Sequence, residues 1–208
     1  MPVVAVLNPK GGVGKTTLAT NLAGYFAANR ARTMLGDIDR QESAKYWLRL
    51  RPKGVAPIET WEVNGVMARP PQGVTHVVLD TPAQISDSKV ADIVRVADKV
   101  LVPVAPSLFD VVATQDFLQS LRRAYPSMAE FRKHVRVVGM RVDPRTKAAD
   151  ELARCLAEMD IDVAGYLRNT HNYVHLAAHG LTVFDVPSKR IAADRATWTP
   201  LLGWVTSH

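Results

Sequence analysis

The sequence predicts an α/β fold in which a mostly parallel, twisted sheet is flanked by helices. Three observations carry that prediction. Short apolar runs alternate with helical stretches along the chain, which implies βαβ units. A glycine-rich loop joins the first apolar run to the first helical stretch. Aspartates fall at strand ends on the side where that loop lies, and open α/β sheets bind ligands at the carboxyl ends of their strands.

Each element has its own signal. Val3–Leu7 is a continuous apolar run, as expected for a strand buried on both faces. Thr16–Asn29 carries Leu18, Leu22, Ala23 and Phe26 at helical spacing. Thr33–Asp37 reads as a weaker strand and Glu42–Leu50 as a helix. Pro52–Pro57 and the segment Arg69-Pro70-Pro71 with Gly73 are turn regions. Val74–Asp80 is a strong strand ending in an acid. Val100–Ala105 is the next, although Pro103 fits poorly in a sheet centre. Phe109–Tyr125 is helical and Val135–Met140 a strand. Ala148–Met159 is a helix with Leu152, Cys155, Leu156 and Met159 on one face. Ile161–Leu167 completes the strands. Tyr173–His179 and Ile191–Val205 are expected helices, with Pro200 placed to split the last.

The 208 residues suit one domain over 1–208 with a continuous core. A hydrophobic fraction of 47% excludes a disordered chain. Cys155 is the single cysteine, so no intrachain disulfide forms, which suits a reducing compartment. The run after Pro2 is too short for a signal peptide. No stretch approaches the roughly 20 apolar residues that span a bilayer. These features lead to a cytoplasmic expectation with no stable membrane association. The net charge of +6 suits attraction to a polyanion, and equally suits ordinary solubility.

Residues 10–17 read Lys-Gly-Gly-Val-Gly-Lys-Thr-Thr, the string of a phosphate-binding P-loop. Gly11, Gly12 and Gly14 let backbone approach a polyphosphate without side-chain clash. The N–H groups of Gly11, Gly12, Val13, Gly14, Lys15, Thr16 and Thr17 then cradle the anion. Lys15 is expected at the β- and γ-phosphates, and the Thr16 hydroxyl at Mg²⁺. The fold expected is therefore a P-loop NTPase domain.

The wider string Asn8-Pro9-Lys10-Gly11-Gly12-Val13-Gly14-Lys15-Thr16-Thr17 resembles the deviant Walker A motif of the ParA/MinD ATPase family. That resemblance implies that Lys10 is the signature lysine, which reaches across an ATP-sandwich homodimer to the partner's phosphates. Gly36-Asp37-Ile38-Asp39-Arg40-Gln41 is similar to the family's Asp-x-Asp-Pro-Gln segment, with Arg40 in place of proline. It implies that Asp39 positions the attacking water and that Asp37 lies near the metal and lysine network. Val77–Asp80 followed by Thr81-Pro82 resembles the Walker B segment, so Asp80 would hold Mg²⁺ through water. One carboxylate and one hydroxyl suit a cation that prefers hard oxygens and keeps several waters. Pro106-Ser107-Leu108-Phe109-Asp110 resembles the family's Pro-Ser-x-x-Asp element near the dimer interface. Met140-Arg141 stands where the family often has Asn-Arg, whose Asn reads adenine. The choice of ATP therefore follows from the resemblance.

The C-terminal third carries Arg168, Lys189, Arg190 and Arg195. ParA-type members bind DNA non-specifically through basic residues in this region, which makes these four the candidate DNA contacts. His171, His175 and His179 recur every four residues, as a stripe that is solvated or faces DNA, with no acid or Cys to complete a metal site. Trp198, Leu201, Leu202, Trp204 and Val205 are expected to pack on the sheet, because the segment lacks the basic face of a lipid-inserting helix.

The expected function is thus a ParA-type ATPase. It would bind ATP and Mg²⁺, dimerise, hold non-specific DNA at the nucleoid, and position or segregate a cargo. A cargo-bound ParB-like or adaptor protein would stimulate hydrolysis. The alternatives are a MinD-like membrane switch, for which the C-terminal segment offers no basic amphipathic helix, and a metabolic relative such as a dethiobiotin synthetase-like ligase. An iron–sulfur reductase is excluded by the lone Cys155.

Overall fold

The computed structural model describes residues 1–39, 41–60, 71–187 and 189–207. Within them, seven strands form one sheet: β1 (Val3–Val6), β2 (Thr33–Asp37), β3 (Ile58–Glu59), β4 (His76–Asp80), β5 (Lys99–Val104), β6 (Val135–Val142) and β7 (Val163–Arg168). Their order is β3-β2-β4-β1-β5-β6-β7, and all the pairings are parallel. The helices are α1 (Lys15–Ala28), α2 (Ser43–Leu50), α3 (Asp87–Val94), α4 (Leu108–Arg122), α5 (Met128–His134), α6 (Lys147–Glu158), α7 (Asn172–Ala177), α8 (Ala192–Ala196) and α9 (Thr199–Val205).

Period-two alternation of the strands divides the core into two layers. Ala5, Leu79, Val100, Val102 and Val137 face α3 to α6, meeting Ile93, Leu118, Phe131 and Leu156. Val4, Val6, Leu35, Val78 and Leu101 face the other way, onto Leu18, Leu22 and Phe26 of α1 and Trp47 of α2. Because both faces are covered, the central strands read as apolar runs.

The expected elements are present with shifted ends. β1 stops at Val6, yet Leu7 still donates its N–H to the Leu101 carbonyl at 2.9 Å. β4 begins at His76 rather than Val74, and β6 runs on to Val142. The two-residue β3, together with α3 and α5, adds to the expected list. Ser86 and Ser127 start those two helices by accepting from the N–H groups of Lys89 and Glu130. Pro103 does lie in an inner strand, β5. The expected final helix is split into a 3₁₀ turn at Lys189–Ile191, then α8, then α9, with Pro200 in the first turn of α9. Trp198 and Leu201 are fully buried, so this segment is core. Arg40, part of the Arg69–Gly73 turn, and His208 fall outside the described residues. Among the described residues no helix is long and apolar enough to cross a membrane.

Candidate nucleotide site

The site is built where β1, β2 and β4 end together, with Val6, Asp37 and Asp80 in register across the three strands. After β1 the chain turns through Asn8, whose side chain is wholly buried. Its Nδ2 donates to the Pro103 carbonyl at 2.8 Å and to Thr114 Oγ1 at 3.1 Å, while its Oδ1 accepts the Lys10 N–H at 2.8 Å. One amide thus fastens the loop to β5 and α4. Gly12 and Gly14 adopt φ of 75° and 98°, a left-handed region costly to other residues. Gly14 is the N-cap of α1 and supplies no side-chain acceptor, and the first turn of α1 holds no acid. The first-turn N–H groups and the positive end of the helix dipole therefore face an anion site.

Two side chains of the loop are held from within. Lys15 is buried, and its Nζ donates to the Lys10 carbonyl at 2.7 Å. Burial lowers the Lys15 pKa, and the charges of Asp80 and Asp39 oppose that shift. Thr16 Oγ1 donates to Asp80 Oδ2 at 2.7 Å. Asp80 Oδ1 is buried and has no hydrogen-bond partner among the described residues. Burial pushes the Asp80 carboxyl up to about 7 despite the Thr16 bond, with Asp37 and Asp39 adding like charge. A buried carboxylate oxygen without a partner is costly, and a cation beside it removes the cost. Thr16 and Asp80 together present the hard oxygens that Mg²⁺ takes.

Asp37 is the sheet neighbour of Asp80, and its carboxylate is also held by backbone N–H groups. Its Oδ2 accepts the N–H groups of Ala44 and Lys45 at 2.8 and 3.0 Å, and its Oδ1 accepts that of Asp39 at 3.0 Å. Asp37 therefore caps α2 and shapes the turn that carries Asp39, while remaining the sheet neighbour of Asp80. Burial still raises its pKa, against those backbone bonds. Asp39 Oδ1 accepts the Gln41 N–H at 3.0 Å. Lys10 lies on the rim, with Nζ 3.6 Å from Asp110 Oδ1 in the first turn of α4. Beside that pair Leu108, Phe109 and Val112 are exposed, Phe109 by 79%.

Arg168 ends β7, and Arg195 lies on α8 beside Asp194. Arg168 lies 3.3 Å from the buried Asp194, which also accepts from Asn172 Nδ2 at 2.6 Å. Arg195 Nη1 donates to the Val186 carbonyl at 3.3 Å, and Lys189 and Arg190 sit exposed on the 3₁₀ turn. The three histidines follow one another at one-turn spacing: the His175 N–H donates to the His171 carbonyl at 3.0 Å, and the His175 and His179 rings lie 5.0 Å apart. α7 ends at Ala177, with His171 before it and His179 beyond it. Among the described residues no group of three metal-ligating side chains is present.

Two loop partners carry no role in the sequence reading. Asn8 is one. The other is Arg141, whose Nη2 donates to the Gly12 carbonyl at 3.0 Å across 129 residues of sequence. Next to it, Met140 is buried, with Cε 2.9 Å from where a Cβ on Gly14 would lie.

Residues 4–183 match the CobQ/CobB/MinD/ParA nucleotide binding domain family. The chain is 35% identical over 202 residues to maintenance of carboxysome distribution protein A from Gloeobacter kilaueensis, covering 94% of this chain and 90% of that protein. Among solved structures it is similar to a putative plasmid partition protein from Borrelia burgdorferi bound to AMPPNP. There the TM-score is 0.72 at 14% identity, over 97% of this chain and 98% of that one. An ATP complex of Cyanothece McdA gives a TM-score of 0.67 at 14% identity, over 98% and 95% of the two chains.

Proposed function

Because the chain belongs to the CobQ/CobB/MinD/ParA nucleotide-binding family of ParA- and MinD-like ATPases, we propose that it hydrolyses ATP with Mg²⁺ to drive the positioning of a cargo. The observation that carries the chemistry is the partnerless Asp80 Oδ1 beside the Thr16 hydroxyl, at the foot of a helix N-terminus. Bound Mg²⁺ would neutralise the β- and γ-phosphate oxygens, with Thr16 and Asp80 holding it. Lys15 Nζ exchanges the Lys10 carbonyl for those phosphates. Asp39 orients the water that attacks the γ-phosphorus as its bond to the ADP oxygen breaks. Lys10 crosses to the phosphates of a second copy, and exposed Leu108, Phe109 and Val112 supply apolar area to the same pairing face.

The cargo is a large protein assembly of the carboxysome kind, because the curated relative named for that role matches over nearly the whole chain. A cargo-bound adaptor protein would stimulate hydrolysis, and the ATP dimer would hold DNA in the nucleoid of the cytoplasm. Burial of Trp198 and Leu201 weighs against a membrane-inserting tail.

Lys189 and Arg190 lead the DNA face, with Arg168 and Arg195 beside them. A dimer doubles these contacts on one rigid body and gives the second set a high effective concentration. With about four to six phosphates neutralised, log affinity for random duplex should fall against log salt with a slope of roughly −4 to −5. Charge reversal at Lys189 and Arg190 should weaken all sequences alike and leave ATP binding intact. A salt titration with ADP and with a non-hydrolysable ATP analogue tests this. Equal affinity in the two nucleotide states would rule out a nucleotide-switched DNA grip.

A further inference from the structure

The pairing of β6 with β7 slips in register between Gly139 and Val142. Inside that irregularity Arg141 adopts φ of 54°, a left-handed conformation that a long side chain rarely takes. In a regular strand two successive side chains leave on opposite faces. Here both reach the phosphate loop. Met140 fills the space over Gly14, and Arg141 donates to the Gly12 carbonyl. Their targets are the left-handed glycines of that loop.

A trans peptide holds its C=O and the following N–H on opposite sides of one rigid plane. A guanidinium fixed on the Gly12 oxygen therefore fixes the direction of the Val13 N–H, away from Arg141. We infer that the bulged Met140–Arg141 corner is a clamp on the phosphate loop, with Arg141 a positioning residue that aims the Val13 N–H at a bound polyphosphate through the Gly12 carbonyl. The inference rests on the nucleotide-binding reading and extends it. It assigns the β6 end to the phosphates rather than to the base, so its effect is the same for any triphosphate.

The strain at Arg141 makes the clamp testable apart from folding. Glycine accepts φ of 54° without penalty, so Arg141→Gly removes the guanidinium while easing the backbone. The nucleotide-free melting temperature should stay level or rise. Arg141→Lys keeps a charged donor and should recover part of the binding.

Binding of ATP, GTP and inorganic tripolyphosphate, each with Mg²⁺, is measured by calorimetry for the wild type and both variants. Arg141→Gly should raise Kd about tenfold for all three, the size of one charge-assisted hydrogen bond. A Kd within about twofold of wild type would overturn the clamp, being smaller than any net hydrogen-bond contribution to a charged group. A loss confined to the nucleotides would also overturn it, showing a base or sugar contact instead. A wild type that binds none of the three would sink the nucleotide-binding reading itself, and the clamp with it.

Discussion

Asp80→Asn should abolish most Mg²⁺-dependent ATP turnover, by about a hundredfold or more, and at the same time stabilise the nucleotide-free protein at pH 8. The two effects share one cause. The carboxylate is buried, one oxygen is bonded to Thr16, and the other has no partner among the described residues. With no cation present, burial holds its proton up to about pH 7, against the ordinary 3.8. Between those values the native state keeps a proton that the unfolded chain has released. Stability is therefore fully present at low pH and drains away as pH rises towards 7, at up to about 1.4 kcal/mol per unit. Asparagine carries no charge and removes that drain. Thermal melts from pH 4 to 8 check the first half: the wild type should lose stability across the range relative to Asp80→Asn. Saturating Mg²⁺-ATP should restore the wild type at pH 8 and leave the variant unchanged by Mg²⁺. A variant less stable than wild type at pH 8 would remove the electrostatic account of Asp80.

Arg51→Ala should cost about 3–5 kcal/mol of folding stability, the usual penalty for leaving one buried charge without its partner. Arg51 and Asp185 are 5% and 2% exposed and pair through two bonds, at 2.8 and 3.0 Å. The guanidinium also donates to the carbonyls of Ala56 and Gly180 and lies over the Trp47 ring. Asp185 further accepts the N–H and hydroxyl of Thr182 at 2.7 Å. This cluster ties the end of α2 to the segment that leads towards α8. Gly180, at φ of 66°, lies so close to the Arg51 backbone that a Cβ there would sit 2.4 Å from its nitrogen. Urea unfolding should show the midpoint falling with little change in slope. Replacing both partners with apolar residues of similar size should cost less than the single change. A loss below about 1 kcal/mol would place the pair among ordinary surface bridges.

How much of this was legible depends on sequence distance. The phosphate loop is one contiguous string between a strand and a helix, so its chemistry and conformation are both local. The sheet was legible because burial on both faces leaves apolar runs through the middles of β1, β4 and β5, and a shorter one at Val137–Met140 in β6. β3 escapes such reading, since Ile58–Glu59 is too short to show a period. The eight- and seven-residue helices α3 and α5 offer about two turns each, and their clearest signals are the single serines that cap them. Pro200 marked the break in the last segment because a missing N–H acts locally. Asp37 was harder. Its acceptors' role is set by Ala44 and Lys45, seven and eight residues on, and nothing in the Asp-x-Asp spacing shows that cap. The contacts of Asn8 with Thr114 and of Arg141 with Gly12 span 106 and 129 residues, and only the packed sheet brings them together.

Phosphate release from ATP, measured with and without Mg²⁺ for the wild type and for Asp39→Ala, tests the central claim most directly. The wild type should release phosphate only with Mg²⁺, and the proposed adaptor or DNA should at most accelerate it. Asp39→Ala should bind ATP as tightly as the wild type and release about a hundredfold less phosphate, because the water loses its orienting carboxylate while the phosphate cradle stays whole. Normal turnover in Asp39→Ala, or turnover in the wild type that ignores Mg²⁺, would contradict the assignment of this site.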